Sequence, residues 1–162
     1  MTKTKKKPTV YIETSVVSYY TSPVSRDIVI AGHQASTKDF WEELGKSIEP
    51  VVSALVFQEA SKGDDLKANE RIDAIKNISV IDITEETKKL ADILIAKKVI
   101  PEKSYEDALH IAVAAINKID FIATWNFKHI NNPYTRSKIK TVIEDAGFEC
   151  PILASPDELL GE

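Results

Sequence analysis

Short apolar runs alternate with longer stretches of helical period along this chain. Val10-Tyr11-Ile12 is a β-prone run that breaks off at Glu13-Thr14-Ser15. Val16 to Tyr20 predicts a turn of helix, closed by Ser22-Pro23. Residues 25 to about 46 read as a helix, with Ser25 as cap and Asp27 in the first turn. Gly32 weakens its middle, and Phe40, Trp41 and Leu44 recur at helical spacing. Glu49–Ser53 predicts a second strand. Residues 54–62 form a helix, with Ser53 as N-cap and Gly63 as its stop. A third helix spans 66–77, with Ala68, Ile72, Ile75 and Ile78 near one face.

The β-branched run 79–83 alternates and reads as strand three. A helix opening at Thr84 turns Leu90, Ala91, Ile93 and Leu94 inward and stops before Pro101. Residues 104–118 give the clearest helix, with Ala108, Leu109, Ala112, Val113 and Ile116 as its stripe. Strand four is 121–124, and a polar connection through Asn131-Asn132-Pro133 leads to a helix over 137–145. Gly147 ends that helix, 151–153 is strand five, and a last turn of helix follows Pro156. Short apolar strands alternating with helices imply an α/β fold, a parallel sheet covered on both faces.

With 162 residues and no interdomain linker, one domain over 9–162 is expected, behind a flexible basic tail over 1–8. The tail is basic like the start of a signal peptide, but Glu13 interrupts the apolar region that should follow. No run approaches the roughly 18 apolar residues of a membrane helix. The single cysteine, Cys150, cannot bridge internally, so a cytoplasmic protein with no membrane association is expected. Net charge is −4, from 21 Lys+Arg against 25 Asp+Glu. That balance does not advertise nucleic-acid binding, yet clustered carboxylates awaiting cations also make a free chain acidic. Phosphate-binding G-x-x-x-x-G-K-[ST] and G-x-G-x-x-G loops are missing, as is the G-x-S-x-G elbow.

In open parallel sheets, ligands bind beyond the carboxyl ends of the strands. Glu13 directly follows strand one there. Glu59 sits beside the apolar stripe of the helix after strand two, where an unpaired charge is costly. Asp107 opens the 104–118 helix, and Ser104 with Asp107 has capping-box spacing. Asn126 follows strand four beside Thr124, a position that also suits a turn. Glu106 reads as a surface acid and His110 as a satisfied core histidine. Converging carboxylates need cations, and hard oxygen donors without zinc-like His or Cys spacing favour Mg2+ or Mn2+.

These residues resemble a family. Tyr11-Ile-Glu-Thr-Ser-Val-Val-Ser-Tyr19 is similar to the opening motif of PIN domains, and Ser53-Ala-Leu-Val-Phe-Gln-Glu59 to the second. Asp107-Ala-Leu-His-Ile-Ala112 resembles the third, and Thr124-Trp-Asn-Phe-Lys-His129 the fourth. The branch most resembled includes VapC-like toxins of toxin–antitoxin pairs. The resemblance implies a three-layer α/β/α fold with a five-stranded parallel sheet in the order 3-2-1-4-5. It implies a metal-dependent endoribonuclease whose ligands are Glu13, Glu59 and Asp107. Asn126 would take the fourth position, with Ser15 and Thr124 in support. The products would be a 5′-phosphate and a 3′-hydroxyl. Glu13 stands where Asp is usual, adding a methylene, and Asn126 where Asp is frequent, removing a charge. The implied partners are an RNA substrate, a small antitoxin and a second copy of the chain. The apolar Val16-Val17 and Tyr19-Tyr20 near the site suit an amphipathic antitoxin segment. Lys128, Arg136, Lys138 and Lys140 could contact RNA backbone or simply form a solvated face. A noncatalytic PIN-like domain binding RNA or protein is the alternative, and an α/β phosphotransferase or receiver domain fits Glu13 poorly.

Overall fold

The computed structural model describes residues 6–161. Five parallel strands form one sheet in the order β3-β2-β1-β4-β5, as expected. The strands are β1 (Thr9–Ile12), β2 (Glu49–Ser53), β3 (Ser79–Ile81), β4 (Phe121–Ala123) and β5 (Ile152–Ala154). Among the described residues seven α-helices connect them, α1 (Thr14–Thr21), α2 (Ile28–Glu43), α3 (Ala54–Ala60), α4 (Asp65–Ile75), α5 (Glu85–Ala96), α6 (Tyr105–Ile116) and α7 (Pro133–Asp145), and α8 (Pro156–Leu159) follows β5. A single 3-10 turn, Glu102–Ser104, precedes α6. Helices α5, α6 and α7 pack as one group, and α1 to α4 with α8 as another, around the sheet.

Strand β1 is central, and this explains its unbroken apolar run. Val10, Tyr11 and Ile12 are fully buried, because a parallel strand with helices on both faces has no solvent side. Each such side chain contributes about 1.5–3 kcal/mol by leaving water. Register pairs Tyr11 with Val51 on one side and Ile12 with Ala123 on the other. The ladder runs one step beyond both strands: Glu13 N donates to Ala123 O (3.1 Å) and Thr124 N to Ala154 O (3.0 Å). Glu13 and Thr124 thus leave the sheet side by side at its carboxyl end.

Several local expectations are corrected by capping. The second helix starts at Ile28 rather than at residue 25, because Asp27 Oδ1 accepts from Val29 N and Ile30 N. The Ser25 hydroxyl accepts from Asp27 N instead. Helix α7 begins at Pro133, not at 137; Asn132 caps it through Thr135 N, and proline suits the first helical position. Strand five is shifted to Ile152–Ala154, and strands three and four each lose their last predicted residues. Ile93 is 38% exposed rather than inward. Helix α6 is buried almost all round, including Ile111, Ala114 and Ala115, whereas Leu109 and Ile116 are only partly buried. Residues 1–5 of the expected tail lie outside the described residues, but Lys7 and Pro8 are tied to the amino-terminal end of β2 and the turn before it. Lys7 Nζ donates to Gly45 O at 2.9 Å, and Pro8 O accepts from Glu49 N at 2.8 Å.

Cys150 is half-buried, and burial, reinforced by the charge of Glu144, pushes its thiol pKa up to about 11. Only about one thiol in a thousand is then the reactive thiolate at pH 8. Iodoacetamide should therefore label the native protein slowly at pH 8, about tenfold faster for each pH unit up to 10, and rapidly once urea unfolds it. Native labelling at pH 8 as fast as in the unfolded control would contradict this environment.

Candidate metal centre

Glu13 lies one residue beyond β1 and is only 6% exposed. It occupies the N-cap position of α1, and its carboxylate accepts the backbone N–H of Ser15 at 2.9 Å. Two hydroxyls donate to its other oxygen, Ser15 Oγ at 2.5 Å and Thr124 Oγ1 at 2.6 Å. Each hydroxyl also accepts a backbone N–H from the segment after β4. Trp125 N donates to Ser15 Oγ (2.9 Å) and Asn126 N to Thr124 Oγ1 (3.0 Å). Ser15 and Thr124 therefore fix the direction of Glu13 and tie two strand ends together. Thr124 is far more than a strand-end residue.

Glu59 lies near the end of α3 and is partly buried, as its place beside the apolar stripe required. One oxygen, Oε1, accepts from Thr14 Oγ1 (2.6 Å) and from His110 Nε2 (2.6 Å). The other accepts nothing among the described residues. Burial opposes the charge of Glu59, but the His110 hydrogen bond and charge, together with Thr14, outweigh it and lower its pKa.

His110 is 1% exposed and fully hydrogen-bonded, as expected of a core histidine. Its position was not foreseen, because nothing in its spacing marks a ligand. One ring nitrogen of His110, one oxygen of Glu13 and one of Glu59 lie within 4.8 Å of one another. Burial disfavours its charged form, but Glu59, Glu13 and Asp107 outweigh that and raise its pKa. The only sequence signal was helical phase: in Asp107-Ala-Leu-His110, positions i and i+3 share a face.

Asp107 is half-buried beside this group rather than within it. Its Oδ2 accepts from His129 Nδ1 at 3.0 Å. Burial raises its pKa, the His129 hydrogen bond offsets part of that, and the charge of Glu13 adds to it. The expected capping box is absent, since the Ser104 hydroxyl makes no cap and lies 3.3 Å from His129 Nδ1. Glu106 is exposed, as expected. Asn126 reaches Asp107 indirectly. Its Oδ1 accepts from His129 N (3.0 Å) and its carbonyl from Asn131 N (2.8 Å), which is turn chemistry. That turn delivers the His129 ring to Asp107.

The four basic residues do not all share one face, although Arg136 and Lys140 line the same depression. Lys128 is exposed in the loop after β4. Arg136 pairs with Glu158 at 3.5 Å. Lys138 lines a depression between α5 and α7 with Lys97 and Lys98, whereas Lys140 borders one beside Cys150. Beside the acidic group, His33 stacks on Trp125 (centroids 4.1 Å), and Trp125 Nε1 donates to Thr37 Oγ1 at 2.8 Å. This packing holds the segment whose N–H groups reach Ser15 and Thr124.

The donor set fits a hard divalent cation. Partly buried carboxylates lie close together, Asp107 is disfavoured as an anion there, and one oxygen each of Glu59 and Asp107 remains without a donor among the described residues. No family model matches the chain, and no curated protein matches its sequence. Solved structures do match. VapC20 of Mycobacterium tuberculosis, described as a Sarcin-Ricin loop cleaving toxin, aligns with a TM-score of 0.54 at 14% identity, over 86% of this chain and 95% of that one. VapBC2 from Rickettsia felis, bound to a DNA fragment from their promoter, aligns with a TM-score of 0.58 at 15% identity, over 91% and 98%. The fold is thus the PIN-domain fold, of the kind found in VapC toxins.

Thr124→Val removes the hydroxyl while keeping shape, leaving Asn126 N and a Glu13 oxygen each short of a partner. Urea unfolding should show a loss of about 1–3 kcal/mol, and Thr124→Ser should restore most of it. An unchanged midpoint for Thr124→Val would show that the bridge carries no stability.

Proposed function

We propose that this protein is a metal-dependent endoribonuclease and the toxin of a toxin–antitoxin pair. The observation that carries the reading is the close approach of Glu13 and Glu59, within 4.8 Å of each other and of His110, beyond the carboxyl end of a PIN-type sheet, with Asp107 beside them. Glu13 and Glu59 would hold Mg2+ or Mn2+ through carboxylate oxygens, with Asp107 closing the group and Asn126 at its edge. When bound, the cation supplies positive charge beside the scissile phosphate and favours hydroxide over water.

The remaining work belongs to the chain. Ser15 and Thr124 keep Glu13 directed, and Thr14 and His110 keep Glu59 directed. His129 holds one Asp107 oxygen and leaves the other without a donor among the described residues. Lys128, exposed in the loop that follows Thr124, would meet the RNA backbone as a point charge. In-line attack at phosphorus would leave a 5′-phosphate and a 3′-hydroxyl. The reading extends to partners: VapC20 is described as cleaving the Sarcin-Ricin loop and VapBC2 as bound to promoter DNA. A looped RNA substrate, an antitoxin and self-association follow for this chain as proposals. Among the described residues, no helix is long and apolar enough to cross a membrane.

Cleavage of looped RNA with Mg2+, followed on a gel, tests this reading. Asp107→Asn keeps volume and an acceptor oxygen, and loses at most about 0.3–1 kcal/mol of helix-terminus attraction. It should stay folded and lose more than about 100-fold in rate, beyond the cost of removing an outer partner. Glu106→Gln should retain most activity. The opposite ranking would identify Glu106 as the working acid, and an active preparation indifferent to both would remove Asp107 from the site. Chelation should abolish cleavage and added Mg2+ or Mn2+ restore it; chelator-resistant cleavage would count against the metal.

A further inference from the structure

A buried chain of hydrogen bonds runs from the second strand to Glu59. Ser53, the last residue of β2, occupies the N-cap position of α3 yet makes no capping bond. Its hydroxyl lies 2.8 Å from Tyr11 Oη. Tyr11 Oη in turn lies 2.5 Å from His110 Nδ1, and His110 Nε2 lies 2.6 Å from Glu59 Oε1. Ser53 and Tyr11 are fully buried and His110 is 1% exposed. A serine that could satisfy a helix terminus is used on a tyrosine instead, and a phenol on the central strand is aimed at one imidazole nitrogen.

The proton inventory gives this chain a direction. An ionised carboxylate only accepts, so His110 Nε2 carries the hydrogen that faces Glu59. In the neutral ring Nδ1 is then an acceptor, which the Tyr11 O–H satisfies while Ser53 donates to Tyr11; in the imidazolium Nδ1–H donates to Tyr11 and Tyr11 to Ser53, and Nε2–H faces Glu59 in both. With Thr14 also donating, Glu59 Oε1 receives two hydrogen bonds and the carboxylate plane is fixed. Oε2 is left as the oxygen to offer to a cation. The alternative, His110 Nε2 as a ligand, needs its lone pair turned toward the site. The 2.6 Å approach to Glu59 Oε1 would then set a lone pair against an anion.

We propose that Tyr11 and His110 are positioning residues that orient Glu59 for metal binding, with Ser53 locking the far end of the relay. This rests on the metal-centre reading above and adds how one of its ligands is held. Losing an outer hydrogen-bond partner typically weakens metal affinity by about 10–100-fold.

The test is calorimetric titration of Mg2+ and of Mn2+ into the metal-free full-length chain at one fixed pH, with circular dichroism checking the fold. Tyr11→Phe deletes one hydroxyl far from any ligand and should weaken both ions by the same factor, about 10–100-fold. His110→Gln can present an N–H near Nε2 and should bind within a few-fold of the unmodified protein, whereas His110→Leu should lose affinity at least as far as Tyr11→Phe. Unchanged affinity in Tyr11→Phe, or in His110→Leu should Tyr11→Phe not fold, overturns the proposal. Loss in His110→Gln, greater for Mn2+ than for Mg2+, overturns it in favour of the imidazole as a direct ligand. No binding by the unmodified chain overturns the metal centre itself, a result distinct from binding that survives loss of the relay.

Discussion

Like charges held together out of water constrain this molecule more than any other feature. Carboxylate oxygens of Glu13 and Glu59 lie within 4.8 Å of each other, with Asp107 beside them. Two unit charges at that distance repel by about 3–4 kcal/mol at an effective dielectric near 20. The fold withstands this with donors rather than with lysine or arginine. Glu13 takes three hydrogen bonds, Glu59 two and Asp107 one. These bonds stabilise the carboxylates without removing their negative charge, a setting that would suit a divalent cation.

The donors come from many places in the chain. Thr14 and Ser15 open α1, Thr124 follows β4, His110 lies on α6 and His129 lies in the loop after β4. Parallel pairing of β1 with β4 brings the first three together, since Ile12 lies opposite Ala123 and both chains leave the sheet at the same level. The Trp125 and His33 stack then keeps the loop after β4 against α2. The setting of the Glu13 carboxylate is therefore inseparable from the closing of the sheet's centre. A substitution in this region can act on stability and on ligand geometry at once, so metal affinity and unfolding have to be measured side by side.

Much of this was legible in the residues. An unbroken Val10-Tyr11-Ile12 run announces a strand buried on both faces, and Glu13 after it announces a carboxyl-end acid. Glu59 beside an apolar stripe was legible as a costly charge needing a partner. Cap positions were less so: Asp27 rather than Ser25 starts α2, and Pro133 lies inside α7, because caps depend on one or two local hydrogen bonds among several nearly equal choices.

The linear order of types determined the alternation of strands and helices, the central strand and the acidic positions, because burial on one or two faces leaves a periodic mark. It could not determine which polar side chains serve the acids. Helix α6 is buried almost all round, so the face that His110 shares with Asp107 did not show that it meets Glu59 rather than apolar core. Ser53 and Ser104 both looked like caps, and each hydroxyl lies instead beside a side chain remote in sequence, Tyr11 and His129. A hydroxyl has one hydrogen to donate and takes the partner that packing brings within reach. That choice is made only when the five strands are in register and the helices have closed over them.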